Sequence, residues 1–166
     1  MPNKAHGATM QLTQFSDYAL RTLIYLGLRA DELVTIEEIA GAYGISESHL
    51  TKVVHKLGRL NIIDTVRGRR GGMRLNCQPS EINIGATVRQ MEGNLTIVEC
   101  FDSEHNTCPI APVCGLTGIL GEALEAFMTV LDRYTLADIL HQRSAFAALL
   151  AIPIDQVASR RAMRPA

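Results

Sequence analysis

Apolar residues recur at three- and four-residue steps through LTQFSDYALRTLIYLGL, where Phe15, Ala19, Leu23 and Leu26 share a face and predict a first helix. The pattern restarts in VTIEEIAGAYG. Thr35 followed by Glu38 makes a capping box, Ile36, Ile39, Ala40 and Tyr43 line one side, and Gly44 stops the helix. Ile45 makes the turn. Ser46 can cap a third helix reaching about Leu60, with Leu50, Val53, Val54 and Leu57 as its apolar stripe. The opposite face carries Ser48, His49, Thr51, Lys52, His55 and Lys56. Two short helices joined by a glycine-containing turn fit a helix-turn-helix, although any antiparallel helix pair would show the same pattern.

The period then changes. Ile62–Val66 and Met73–Leu75 are short extended runs around a glycine-rich turn, predicting a β-hairpin attached to the third helix. Its glycines let the tip approach a backbone closely, and Arg67, Arg69 and Arg70 suit phosphates or a narrow minor groove. GRRGG is no nucleotide-binding loop, because it lacks the Gly-Lys-Ser/Thr ending and opens no helix. Helix pair plus basic hairpin makes a winged helix-turn-helix.

Farther on, EINIGATVRQMEG predicts a short helix ending at Gly93. Val113, Leu120, Phe127 and Tyr134 then repeat every seven residues, with Leu116, Ala123 and Val130 between them, a heptad seam on a long helix. That seam can be buried on the body of its own domain or on a second copy of the chain. A two-fold dimer would supply two reading helices for the half-sites of a palindrome. A short helix begins at Thr135, and SAFAALLAI packs back on the body.

The predicted fold class is mainly α with a small β wing: a winged helix-turn-helix domain plus a long dimerisation helix. The expected divisions are 1–9, a flexible extension; 10–78, the DNA-binding domain; and 79–111, a connecting helix and cysteine loop. Residues 112–152 form the dimerisation helix and C-terminal helices, and 153–166 a flexible tail.

Charge sharpens the assignment. Residues 46–76 hold seven basic and two acidic side chains, whereas 77–142 hold nine carboxylates against Arg89 and Arg133. A basic block on an otherwise acidic chain of net charge −1 is a phosphate-attracting patch. The third helix should enter the major groove N-terminus first, making Ser48, His49 and Lys52 the base-edge candidates. Lys56, Arg59, Arg67, Arg69 and Arg70 are the expected phosphate or minor-groove contacts.

The longest apolar stretch, 145–154, falls short of the ~20 residues a membrane-spanning helix needs. MPNKAHGAT has no apolar segment behind its charge, so a cytoplasmic protein without a membrane partner is expected. In a reducing compartment clustered cysteines more often bind metal or sense redox state than form disulfides. Cys100, Cys108 and Cys114 lie in ECFDSEHNTCPIAPVCG with spacing C-x7-C-x5-C, while Cys77 stands apart and reads as an ordinary thiol. Zinc knuckles usually pair ligands as C-x2-C, absent here, but His105 could complete a Cys3His zinc site in a zinc-stabilised interaction protein. No catalytic signature surrounds any cysteine, so no enzyme and no catalytic residue is expected. An iron–sulfur cluster suits a wide loop, and Cys114 falls near a helix N-terminus where free N–H groups stabilise thiolate.

LTQFSDYALR, EEIAGAYGISESHLTKVVHKL, TVRGRRGGMRL, the three cysteines and LDRYTLADIL together resemble the Rrf-two family of winged-helix regulators, from Met10 to about Leu150. The resemblance implies a homodimeric transcription factor with a cluster seated by the long helix. Within the family the chain is most similar to nitric-oxide-sensing repressors, whose cluster is held by three cysteines and an aspartate near the start of the partner subunit's first helix. The matching residues are Cys100, Cys108, Cys114 and Asp17 of the partner subunit. The implied cofactor is a 4Fe–4S cluster, with 2Fe–2S as the alternative. Cluster-assembly regulators carry a histidine three residues after the third cysteine, where Thr117 stands here. Iron regulators share the seven-residue gap but carry asparagine at the position of Asp17. The expectation is therefore a repressor on a palindromic double-stranded promoter site, released when nitric oxide nitrosylates the cluster. An iron-responsive repressor is the alternative.

Overall fold

The helical spacing of the first segment is realised in a computed structural model, which describes residues 11–30, 32–93, 95–102 and 104–152. The expected extension 1–9 and tail 153–166 lie outside the described residues. Helix α1 (Gln14–Leu28) starts at Thr13, whose hydroxyl accepts from the Ser16 amide. Ala19, Leu23, Leu26 and Leu28 are fully or almost fully buried, and Phe15 is half-buried. Helix α2 (Ile36–Tyr43) carries the expected capping box of Thr35 and Glu38 and ends at Gly44, whose φ of 64° is left-handed. Arg29 fastens the two helices by donating to Glu32 and Glu38, the latter at 3.2 Å. Burial alone would lower the Arg29 pKa, but the Glu32 hydrogen bond and both carboxylates outweigh it and raise it.

Helix α3 (Glu47–Arg59) is capped by Ser46 and buries Leu50, Val53, Val54 and Leu57, the stripe read from the sequence. Strands β1 (Ile63–Val66) and β2 (Gly72–Leu75) pair antiparallel, with Asp64 opposite Arg74 in a 3.1 Å ion pair. Val34 adds a third edge. Its backbone exchanges hydrogen bonds of 2.9 and 2.8 Å with Met73. Gly72 permits this approach, since a Cβ there would crowd the Val34 carbonyl.

Helix α4 (Ile84–Glu92) is capped by Asn83 and closed by Gly93. After the cysteine segment come α5 (Leu116–Asp132), α6 (Leu136–Ile139) and α7 (Arg143–Leu149). The heptad seam is shorter than the sequence suggests. Val113 sits in a separate 3-10 turn before the Gly115 cap, and Tyr134 follows the C-cap Arg133. The apolar period runs through both ends, but the helix stops where Tyr134 turns its carbonyl to the Ile84 amide at 2.9 Å.

One core joins both halves. Leu136, Leu140, Ala147 and Ile152 pack with Leu23, Leu26 and Leu57, and Arg143 donates to the Leu28 carbonyl at 3.0 Å. Helices α4 and α5 meet where Arg89 grips the Asp132 carboxylate with both guanidinium arms and the Asn83 amide donates to the Asp132 carbonyl at 2.7 Å.

Two glycines test this packing. Gly41 faces open space on α2, so Gly41→Ala should raise stability by about 0.5–1 kcal/mol in urea unfolding. A Cβ at Gly85 would collide with the Asp132 carboxylate, so Gly85→Ala should cost roughly 1–3 kcal/mol in the same measurement. The Arg89 hydrogen bonds hold the Asp132 carboxyl below the ordinary aspartate range. A depressed pKa contributes stability above the unfolded-state value and loses it as pH falls through the folded-state value. Thermal unfolding of Asp132→Asn should therefore show a lower midpoint at neutral pH and a shallower decline below about pH 4 than the wild-type chain.

Candidate nucleic-acid interface and cysteine centre

The exposed face of α3 presents Ser48, His49 and Lys52, and Arg59 follows in the last turn. Ser46 and Ser48 share a hydrogen bond of 3.2 Å at the helix start. Beyond β1, Arg67, Arg69 and Arg70 are exposed in the turn, and none enters an ion pair among the described residues. Arg74 is instead neutralised by Asp64. A groove of about 570 Å³ separates α3 from the hairpin, lined in part by Thr51, His55, Arg59 and Asp64. Helix and wing thus offer two basic prongs with a gap between them.

Lys56, expected at a phosphate or in the minor groove, makes a contact within the protein. Its ammonium donates to the Met91 carbonyl at 3.1 Å and lies 5.4 Å from the centre of the Phe15 ring. It is half-buried, one turn beyond the exposed Lys52 on the same side of α3. A second contact was not legible in the sequence: the Tyr18 ring of α1 lies against His49, with centroids 6.3 Å apart. The spacing of α1 marked its apolar face but could not show that Tyr18 would meet α3.

The cysteine segment is built from short turns. Cys100 lies in the 3-10 turn Glu99–Phe101, and Cys114 closes the turn Ala111–Val113 before α5. Glu99 pulls the seven-residue spacer together by accepting from the Thr107 hydroxyl and amide, which hold its carboxyl below the ordinary range. Asp102 is lowered likewise, first by His105, whose Nδ1 lies 2.9 Å away, and by the Glu104 and His105 amides. The Thr117 hydroxyl at the start of α5 donates to the Cys100 sulfur at 3.3 Å.

All four cysteines are free and half-buried. Cys77 packs against the core, where burial pushes its thiol up and Glu81 adds to the shift. Among the described residues no group of three or more His, Cys, Asp or Glu side chains is close enough to hold a metal ion. The donor chemistry nonetheless fits a thiolate-rich iron site: three unpaired thiols on one segment, one already accepting a hydrogen bond. Within its own chain the Asp17 carboxylate pairs with Arg21 at 2.7 Å.

Helix α5 buries only Met128. Leu116, Ile119, Phe127 and Val130 remain exposed, Ile119 at 63%. An apolar groove of about 490 Å³ runs beside the helix, lined by Leu12, Leu95, Ile97, Leu120, Leu124 and Phe127. No helix among the described residues is long and apolar enough to cross a membrane.

A recognition helix with a basic hairpin directly behind it defines a winged-helix regulator. The Rrf2 (Rrf-two) family model, described as an iron-dependent transcriptional regulator, matches residues 12–142. The chain belongs to that family. Over 142 residues it is 52% identical to the HTH-type transcriptional regulator NsrR of Halalkalibacterium halodurans, covering 85% of this chain and 97% of that protein. The protein of the same name from Geobacillus kaustophilus is 54% identical over 142 residues, again covering 85% and 97%. Among solved structures, oxidised CymR of Staphylococcus aureus superposes with a TM-score of 0.63 at 23% identity, covering 80% of this chain and 97% of that one. IscR of T. potens gives a TM-score of 0.63 at 23% identity, covering 79% and 86%. The chain is thus a winged-helix transcriptional regulator close to NsrR, and its relatives are regulators rather than enzymes.

The two prongs should separate in a binding assay on duplex DNA. Arg69→Ala should weaken binding to all sequences alike and reduce the slope of log K against log salt by about 0.9. His49→Ala should leave the slope unchanged and alter affinity selectively among single-base variants of the site, by about 1–3 kcal/mol at the position it reads.

Proposed function

We propose that the protein is a homodimeric repressor that binds a palindromic promoter site and senses nitric oxide through an iron–sulfur cluster. Residues 10–78 read DNA, 79–111 carry the sensing segment and 112–152 pair the subunits in the cytoplasm. The observation that carries this reading is a loop of three free thiols leading directly into α5, whose apolar face is exposed. Support also comes from the identity to regulators named NsrR.

Cys100, Cys108 and Cys114 would supply three thiolates, and Asp17 of the partner subunit the fourth ligand. The cluster, 4Fe–4S in this reading, supplies an iron centre that reacts with nitric oxide. A carboxylate is a harder and more readily displaced ligand for iron than thiolate, so Asp17 would be the ligand most easily exchanged. Asp17 pairs with Arg21 within its own chain, so ligation by Asp17 and pairing with Arg21 would compete on α1. Ser48, His49 and Lys52 read base edges, while Arg59 and the wing arginines hold the backbone. The energetic requirement is modest: a hundredfold change in affinity needs about 2.7 kcal/mol of difference between the two states.

A second reading, an iron-responsive repressor using the same loop, is favoured by the family's description as iron-dependent. Anaerobic preparation and gel shift distinguish the two. The nitric-oxide reading expects a brown protein that loses its colour and its DNA together on adding nitric oxide, with Cys108→Ala colourless and Cys77→Ala brown. Retention of DNA after the colour is gone would refute it. The iron reading expects release on chelation and a nearly silent Asp17→Asn. A colourless preparation holding one zinc per chain without DNA affinity would favour a zinc-stabilised interaction protein instead.

A further inference from the structure

Three parts of the molecule meet at the last turn of α4. From one side the Lys56 ammonium of α3 donates to the Met91 carbonyl at 3.1 Å, above the half-buried Phe15 ring. From the other, Glu92 Oε1 accepts from the Thr13 amide at 2.8 Å and the Thr13 hydroxyl at 3.1 Å. Thr13 is the cap of α1. The carbonyl end of a helix attracts a cation, so Lys56 is well placed there. Met91 itself is buried. The chain leaves this turn through Gly93, with φ of 76°, and runs on to Cys100. Helix α4 is also fixed to Asp132 of α5, by Asn83 at its start and by Arg89 in this last turn.

We propose that the last turn of α4 is a clamp on the recognition helix, with Lys56 and Glu92 as its positioning residues. A shift in the segment between Gly93 and Cys114 reaches the DNA-reading face through this turn. Lys56 then directs its charge to a backbone carbonyl of the protein and neutralises no phosphate. The clamp rests on the assignment of α3 and the wing to DNA, and the test keeps the two apart.

The probe is a duplex selected by the wild-type chain from a randomised pool, titrated over a series of salt concentrations with the protein reconstituted with iron and sulfide or stripped. Lys56→Met keeps an apolar stem over Phe15 and removes the donor. It should weaken binding about tenfold, leave the salt slope unchanged, and shrink the affinity ratio between reconstituted and stripped protein. Glu92→Ala should do the same, and Glu92→Gln, which retains an acceptor, should recover most of the loss. Should Lys56→Met fail to fold, the two Glu92 variants read the clamp from its other anchor. A slope reduced by about 0.9 in Lys56→Met would mark a phosphate contact and overturn the clamp. Unchanged affinity in Lys56→Met and Glu92→Ala, or an unchanged ratio, would overturn it too. If Arg69→Ala lowers the slope while either of those results holds, only the clamp falls; if the wild-type chain selects no duplex, the DNA assignment falls with it.

Discussion

Helix α1 must be covered on nearly every side. Ala19, Leu23, Tyr25, Leu26 and Leu28 cannot all face one neighbour, and all are buried. α3 and β2 cover part of the surface, and the rest is met by α4, α6 and α7 from the far end of the chain. Full burial of a leucine is worth roughly 1.5–3 kcal/mol, so a reading domain cut off after the wing would expose several such residues to water. The C-terminal helices are therefore part of the reading head's core as well as a support for α5.

That constraint explains what the sequence disclosed. The stripe Leu50, Val53, Val54 and Leu57, the Thr35–Glu38 box and the paired wing depend on neighbours within a few residues, so local pattern is enough to find them. Glu92 meeting Thr13 spans 79 positions, and Lys56 meeting Met91 spans 35. Nothing in the periodicity of either segment announces its partner. Lys56 was legible as a cation on a helix face, but its carbonyl partner on α4 was not.

The heptad reading erred in a different way. Hydrophobic spacing carries through Val113 and Tyr134, yet Gly115 caps the start and the Thr135–Asp138 box opens a new helix beyond the end. The three clustered thiols were legible in the sequence, and all are free. A fourth ligand could be named only through the family resemblance, because a carboxylate that balances Arg21 in the first turn of α1 has the same sequence signature as one that would ligate iron. Thr117 drew notice only as a missing histidine, whereas its hydroxyl contacts the Cys100 sulfur.

The edge formed by Val34 has a consequence for how far apart two grooves can be sampled. Because the link before α2 is stitched to Met73 in both directions, the hairpin is anchored on the side away from α3 as well as through its own connection to α3. Wing and recognition helix would then behave as a fixed-gap gauge rather than as two limbs on a hinge. A duplex whose minor groove is displaced from the reading helix by the wrong fraction of a turn must deform to meet both, and the cost falls on the DNA. Selectivity of that kind would register in the flexibility of base steps that no side chain touches.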